Sequence, residues 1–185
     1  GVTGVQTCAL PICVELESSG KSWFVQALPR RERLIIVGAV HIAFPLIQYA
    51  KSLGFETVVI EPRAILSHAD RFAVAPDQVI NGWPQDVLLE LKVTPETYAV
   101  VLTHDPKIDD VALAMLIRSD AAYVGALGSR TTQEKRRQSL RELGFAESEI
   151  ARIRGPVGLS IGARSPEEIA LSIVAEVVQV RNAAR

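Results

Sequence analysis

Apolar residues along this chain fall into two alternating kinds of run. Short, nearly continuous stretches rich in valine and isoleucine give way to longer ones in which apolar and polar positions recur every three to four residues. A β-branched run that is apolar on both faces predicts a strand buried in a parallel sheet, and the helical period predicts a helix laid over it. From Arg33 onward the spacing predicts a strand at Leu34–Val37, a helix from about Ile42 to Leu53 stopped by Gly54, and a strand at Thr57–Ile60. A shorter strand beginning at Ala73 or Gln78 ends at Ile80, with a helix following over Asp86–Leu91. Then come a strand at Ala99–Leu102, a helix at Asp110–Arg118 and a strand at Ala122–Gly125. Repeated βαβ units of this kind predict an α/β fold: a doubly wound, mostly parallel sheet with helices on both faces.

Two later helices carry start signals. Thr131 and Glu134 have the spacing of a capping box, with helix running on to about Leu143 before Gly144. Ser165-Pro-Glu-Glu168 combines the same box with proline at the first helical position. The final helix places Ile169, Ile173 and Val177 at four-residue intervals, with Glu168 and Glu176 off that face, and should cover the sheet.

The expected partition is a connector over residues 14–32, with one short strand near Trp23–Ala27, and an α/β domain over 33–185. Residues 1–13 fit neither part. The first twelve resemble the conceptual translation of a sequencing-library adapter, which would contribute nothing to the fold; the alternative is a disordered tail. Cys8 and Cys13 fall in this stretch or at its junction, and residues 14–185 contain no cysteine. Neither a disulfide nor a thiolate metal site is therefore expected.

With 185 residues, 48% of them hydrophobic, the chain can build one well-packed domain. A net charge of −1 provides no field to attract nucleic acid or an anionic membrane. The longest apolar run, Leu34–Ile47, is interrupted by His41 and Pro45 and is too short to span a bilayer. With no signal peptide pattern, the expected location is the cytoplasm.

Candidate chemistry sits where strands hand over to helices, the edge at which such sheets bind ligands. Gly38-Ala-Val-His-Ile-Ala43 follows the first strand, but Val40 and Ala43 stand where a dinucleotide fingerprint has its second and third glycines. This is a weak signal for NAD(P), and the turn can equally be structural, with Val40 packing inward. Glu61-Pro-Arg63 ends the second strand; the acid could accept from ribose hydroxyls, the arginine could grip phosphate, or the two could form a plain surface pair. Thr103-His-Asp-Pro106 follows the next strand beside the first. His104 and Asp105 are ligand candidates there, whereas Asp105, Asp109 and Asp110 fit helix caps and first-turn charges better than metal ligands. In Gly125-Ala-Leu-Gly-Ser-Arg-Thr131 a glycine turn precedes hydroxyls and an arginine at a helix start. Gly125, Gly128, Ser129 and Arg130 could meet one anionic group there, the glycines allowing close approach. Lys135, Arg136, Arg137 and Arg141 read as a solvated face. Gly155-Pro-Val-Gly158 and Gly162-Ala-Arg164 imply special backbone angles before the last helix, so Gly162 should resist substitution.

Taken together, these blocks resemble the C-terminal domain of the xanthine dehydrogenase accessory factors, the XdhC/CoxI family, from about Arg33 to the end of the chain. The resemblance implies a Rossmann-like domain and a maturation factor, or chaperone, rather than a turnover enzyme. It implies binding of molybdenum cofactor, as molybdopterin or its dinucleotide form, at Gly38, Ala39, Val40, His41, Glu61, Arg63, Thr103, His104, Asp105, Gly125, Gly128, Ser129, Arg130 and Gly162. The implied partners are the apo form of a molybdenum hydroxylase, such as xanthine or CO dehydrogenase, and a cysteine desulfurase, with homodimerisation left open. Transfer of sulfur as a persulfide needs a thiol, which residues 14–185 lack, so this chain should hold cofactor without carrying the sulfur. An NAD(P)-binding oxidoreductase and a nucleotide-sensing regulatory module are the alternatives.

Overall fold

The computed structural model describes residues 13–18, 21–26 and 31–183, which form two compact units divided at Arg31. In the first, β1 (Cys13–Ser18) and β2 (Lys21–Gln26) pair antiparallel. The strand expected near Trp23–Ala27 overlaps β2, and β1 is an addition to that expectation. The expectation for residues 1–12 lies outside the described residues.

The second unit is the predicted α/β domain. Its strands are β3 (Arg33–Val37), β4 (Glu56–Ile60), β5 (Gln78–Ile80), β6 (Thr97–Val101), β7 (Tyr123–Ala126) and β8 (Ile153–Arg154). They form one parallel sheet in the order β5-β4-β3-β6-β7-β8. The chain winds outward from β3 to one edge, returns, and winds from β6 to the other. The switch point therefore lies between the C-terminal ends of β3 and β6.

Strand periodicity divides the core cleanly. Leu34 and Ile36 point to one side of β3, where α1 (Ala43–Ser52) and α6 (Pro166–Ala183) pack with Leu46, Ile47, Ile173 and Val177. Ile35 and Val37 point to the other, against Val87 and Leu88 of α2 (Pro84–Glu90) and Ile108, Leu113 and Leu116 of α3 (Pro106–Leu116). Burial on both faces explains why the strands read as continuous apolar runs rather than alternating ones. The final helix thus covers the sheet by the expected face, and its capping box forms: Ser165 Oγ accepts from Glu168 N and Glu168 Oε2 accepts from Ser165 N.

Helix starts differ from expectation in three places. α2 and α3 begin earlier than periodicity implies, each with proline in its first turn. Pro106 opens α3, because its missing N–H costs nothing at that position. α4 (Arg130–Glu142) is capped not by Thr131 but by Ser129, whose side chain accepts from Thr132 N at 3.1 Å. Two short elements escape the periodicity: α5 (Glu147–Ile150) and β8, whose two residues are too few to show a period. Two 3-10 turns, Ala64–Leu66 and Ala69–Arg71, fill the connection from β4 to β5.

Candidate functional site

Register alignment brings the C-terminal ends of four strands level: Val37 pairs with Ile60 and Val101, and Val101 with Ala126. The turns after β3, β4, β6 and β7 therefore emerge side by side. Gly38, at φ +105°, donates its N–H to Ile60 O, and a Cβ there would sit 2.5 Å from Thr103 Cγ2. Both the backbone angle and the neighbour demand glycine, and the turn is thereby seated on the β6 loop.

Glu61 is wholly buried at the end of β4, and both carboxylate oxygens are in use. Oε2 accepts from Ala39 N at 2.8 Å and Arg63 Nη2 at 2.7 Å; Oε1 accepts from Arg63 N at 3.0 Å and Arg63 Nε at 2.7 Å. It is not a solvated surface pair. Burial alone would raise the Glu61 pKa, but hydrogen bonds from Arg63 and Ala39 and the Arg63 charge together hold it below its ordinary value. A depressed folded-state pKa contributes stability that is present above the unfolded value, near 4.5, and disappears as pH falls through the folded one. Wild type should therefore outlast Glu61→Gln in denaturant at neutral pH, and that advantage should shrink progressively below about pH 4.5. A constant gap between the two midpoints from pH 7 to pH 3 would show that Glu61 is not held as a charged clamp.

Arg63 keeps part of its guanidinium exposed and lies within electrostatic reach of Asp105 and Asp109 across the crevice. Val40 is half-buried against the core and His41 is exposed, its ring edge-on to Phe44 at 6.2 Å. On the β6 side, Thr103 Oγ1 donates to Asp109 Oδ1 at 2.5 Å and accepts from Asp105 N at 3.1 Å. Asp105 caps α3 through Lys107 N, and His104 is exposed in the left-handed region at φ +64°. That conformation is uncommon for a residue with a side chain, although histidine tolerates it better than most. Among the described residues no group of three acidic, histidine or cysteine side chains is placed to hold a metal ion.

Asp109 leads to a residue whose setting differs from what the charge pattern implies. Arg136 is buried, not part of a solvated face. Its Nη2 donates to Asp109 Oδ2 at 3.2 Å, and its Nη1 donates to Gln133 Oε1 at 2.8 Å and Leu127 O at 3.4 Å. Gln133 in turn donates to Ala126 O at 2.9 Å, and a Cβ on Gly155 would collide with its side chain. One buried arginine and one glutamine thus tie the loops after β6, β7 and β8 together. Burial pushes the Asp109 carboxyl above its ordinary value, against the opposing pull of Thr103 and Arg136. The sequence does carry a signal: Gln133, Arg136 and Leu140 stand three and four apart, the spacing of one inward helix face.

In the β7 loop, Gly128 has φ +137°, Ser129 caps α4, and Arg130 and Thr131 are exposed. Gly125 does not open space for a ligand. A Cβ there would lie 2.5 Å from Val157 Cγ2 and 2.8 Å from the Tyr123 ring, so close packing within the chain requires its glycine. Gly162 is exposed at φ +75° in the loop between β8 and α6, where only the backbone angle would oppose substitution. Nor is Glu176 idle on an outer face: its Oε2 accepts from Tyr123 Oη at 2.5 Å and from Gly158 N at 2.8 Å, pinning this loop to α6. Contacts therefore bring together Gly38, Ala39, Glu61, Arg63, Thr103 and Asp105, with the β7 loop joined through Arg136. No described contact draws Gly162 into that group.

A family model described as the XdhC Rossmann domain matches residues 34–177. The chain is 35% identical over 158 residues to a protein of Bacillus subtilis named as a probable subunit of xanthine dehydrogenase, covering 85% of the chain and 46% of that protein. It is 38% identical over 90 residues to the molybdenum cofactor insertion chaperone PaoD of Escherichia coli, covering 49% of the chain and 28% of the chaperone. An uncharacterised Escherichia coli protein, YqeB, is 34% identical over 173 residues, 87% of this chain and 29% of its own length. A crystal structure described as a xanthine dehydrogenase from Bacillus halodurans superposes with a TM-score of 0.70 at 34% identity, over 83% of this chain and 45% of that one. The chain spans less than half the length of each of these relatives.

Proposed function

Because the chain belongs to the XdhC Rossmann-domain family, we propose that it holds molybdenum cofactor at the switch-point crevice and presents it to a molybdenum hydroxylase. The role is accessory: a relative sharing 38% identity over 90 residues is a molybdenum cofactor insertion chaperone. The single observation that carries the reading is the charge balance of the crevice. Its two buried acids are already neutralised, Glu61 by Arg63 and Asp109 by Arg136, whereas Arg130 is exposed and Arg63 keeps part of its side chain exposed. With both buried acids paired, the exposed Arg130 and the exposed part of the Arg63 side chain are left to face a polyanion such as molybdopterin phosphate or its dinucleotide form.

Arg63, Arg130 and the Thr131 hydroxyl would hold the phosphate-bearing end, with the Gly38–His41 turn as the floor. Bound there, the cofactor would supply the molybdenum centre that the hydroxylase uses, and this chain's own part is to bind, orient and release it. Sulfur would come from a partner cysteine desulfurase, since residues 14–185 offer no thiol.

Glu61 argues against the NAD(P) alternative. An acid that reads a ribose diol must have a free oxygen lone pair directed at it, and here four donors within the chain occupy the carboxylate. Titration with NADH and, separately, with molybdopterin released from a hydroxylase tests the two readings side by side. The expected result is saturable binding of the released cofactor and none of NADH; saturable NADH binding without cofactor binding would overturn the proposal.

A further inference from the structure

Arg71 stands apart from the other sequestered arginines. It is half-buried on the 3-10 turn Ala69–Arg71, yet among the described residues no carboxylate pairs with it. Its Nη1 donates to Leu66 O at 2.9 Å and to Ala39 O at 3.4 Å, and the guanidinium lies over the Phe44 ring, 5.5 Å from its centre. Those contacts fix the plane of the group but leave Nε and Nη2 undirected and the charge without a counter-ion. Neither nitrogen is a buried atom without a partner, so both stay open to solvent or to a ligand, whereas most of the other partly buried arginines are paired with an acid. Arg33 has Glu56, Arg136 has Asp109, and Arg181 has Glu32. Arg152 also lacks a carboxylate, but it donates through both terminal nitrogens to the carbonyls of Ile117, which caps α3, and of Ser119 and Ala121 just beyond it. Arg71 reaches carbonyls through one terminal nitrogen only, at Leu66 O and Ala39 O.

Its location supplies the meaning. Ala39 O is held by Arg71, and Ala39 N is held by the carboxylate that also holds Arg63. Two guanidiniums thus bracket a single residue of the turn after β3, both delivered by the segment from Glu61 to Arg71. Asp105 and Asp109 lie within electrostatic reach of Arg63, and Asp70 precedes Arg71 on its own turn. Planar guanidiniums with free N–H groups on two sides of a small turn match the oxygens of a phosphate better than those of a carboxylate.

We infer that Arg71, together with Arg63, forms a phosphate subsite over the Gly38–Ala39 turn, which takes the diphosphate or phosphomonoester of the bound cofactor. This inference rests on the proposal that the crevice holds molybdenum cofactor, and it assigns the phosphate to the β4–β5 connection rather than to the β7 loop alone. Arg71 also explains selectivity: an unphosphorylated pterin or nucleoside would leave this cation uncompensated and bind weakly.

The test uses inorganic pyrophosphate and inorganic phosphate as probes, with binding to the full chain followed by phosphorus NMR. Pyrophosphate should bind saturably, and Arg71→Gln should weaken it by about tenfold or more, the usual worth of a charge-assisted hydrogen bond. Arg71→Lys, which keeps the charge, should recover part of the loss, and Arg118→Gln, on the remote surface beside Glu149, should change nothing. A stronger response to phosphate than to pyrophosphate would assign the subsite to a phosphomonoester, and the reverse to a diphosphate. Unaltered pyrophosphate binding in Arg71→Gln with an unchanged melting temperature, or no saturable binding by wild type, would overturn the inference. The two proposals fail separately. Cofactor retained equally by wild type and Arg71→Gln removes the subsite and leaves the cofactor reading. Arg71-dependent pyrophosphate binding by a chain that retains no cofactor does the opposite.

Discussion

Replacing Arg136 by leucine should lower the thermal unfolding midpoint by roughly 10 °C, corresponding to about 3–5 kcal/mol for removing one partner of a buried ion pair. The size follows from what is left behind. Asp109 and Arg136 side chains are 1% and 6% exposed, so the stranded carboxylate cannot recover its lost partner from water. Leu127 O and Gln133 Oε1 lose their donor at the same time. The leucine replaces some packing volume but none of these bonds. The complementary variant Asp109→Leu should be costly alone for the same reason, because it strands the arginine. Combining the two should recover much of the loss, since a buried ion pair replaced as a whole by apolar side chains is often close to neutral. Calorimetry or circular dichroism melts of the two single variants and the double variant form a mutant cycle that isolates the pair. An Arg136→Leu midpoint within about 2 °C of wild type would show that this pair does not anchor the loops.

That pair also marks the limit of what can be read from the chain alone. The β3, β4 and β6 strands are legible because burial on both faces leaves mostly apolar residues in them, and the switch point follows from the order of βαβ units. Chemistry at strand ends is legible as residue type and place, but not as hydrogen-bond partner. Glu61-Pro-Arg63 reads equally as a ribose-binding acid, a phosphate-binding arginine or a surface pair. Only the fold shows Glu61 turned inward to close the Gly38 turn and hold Arg63. Arg136 sits in a run of basic residues whose composition speaks for a solvated helix face, and burial of one member depends on an acid 27 positions earlier. Arg71 offers no local signal at all, since its significance lies in the carbonyls of Leu66 and Ala39. Gly125 is necessary for a different reason from the one its motif suggests: its neighbours are Val157 and Tyr123, and long-range packing of that kind leaves no trace in a motif.

The second large effect concerns Arg130. It opens α4 immediately after the Gly128–Ser129 turn, its side chain is exposed, and the cap itself is made by Ser129. Arg130→Ala should therefore leave the fold intact while removing one of the cations available to a polyanion at the crevice. A charge-assisted contact to a phosphate is worth about 1.5–3 kcal/mol, which lowers affinity by roughly 10- to 100-fold. A loss of that order is enough to empty a site during gel filtration if the cofactor is held no tighter than micromolar. The difference should thus appear as near-complete loss of bound metal without any change in melting temperature.

The most direct test of the account is the molybdenum and pterin content of the wild-type chain and of Arg130→Ala after expression in a cofactor-producing host and gel filtration. The account predicts stoichiometric cofactor on wild type and little on the variant, at equal folded yield. Wild type emerging free of both molybdenum and pterin, or a variant as fully loaded as wild type, would contradict the placement of the cofactor at this crevice.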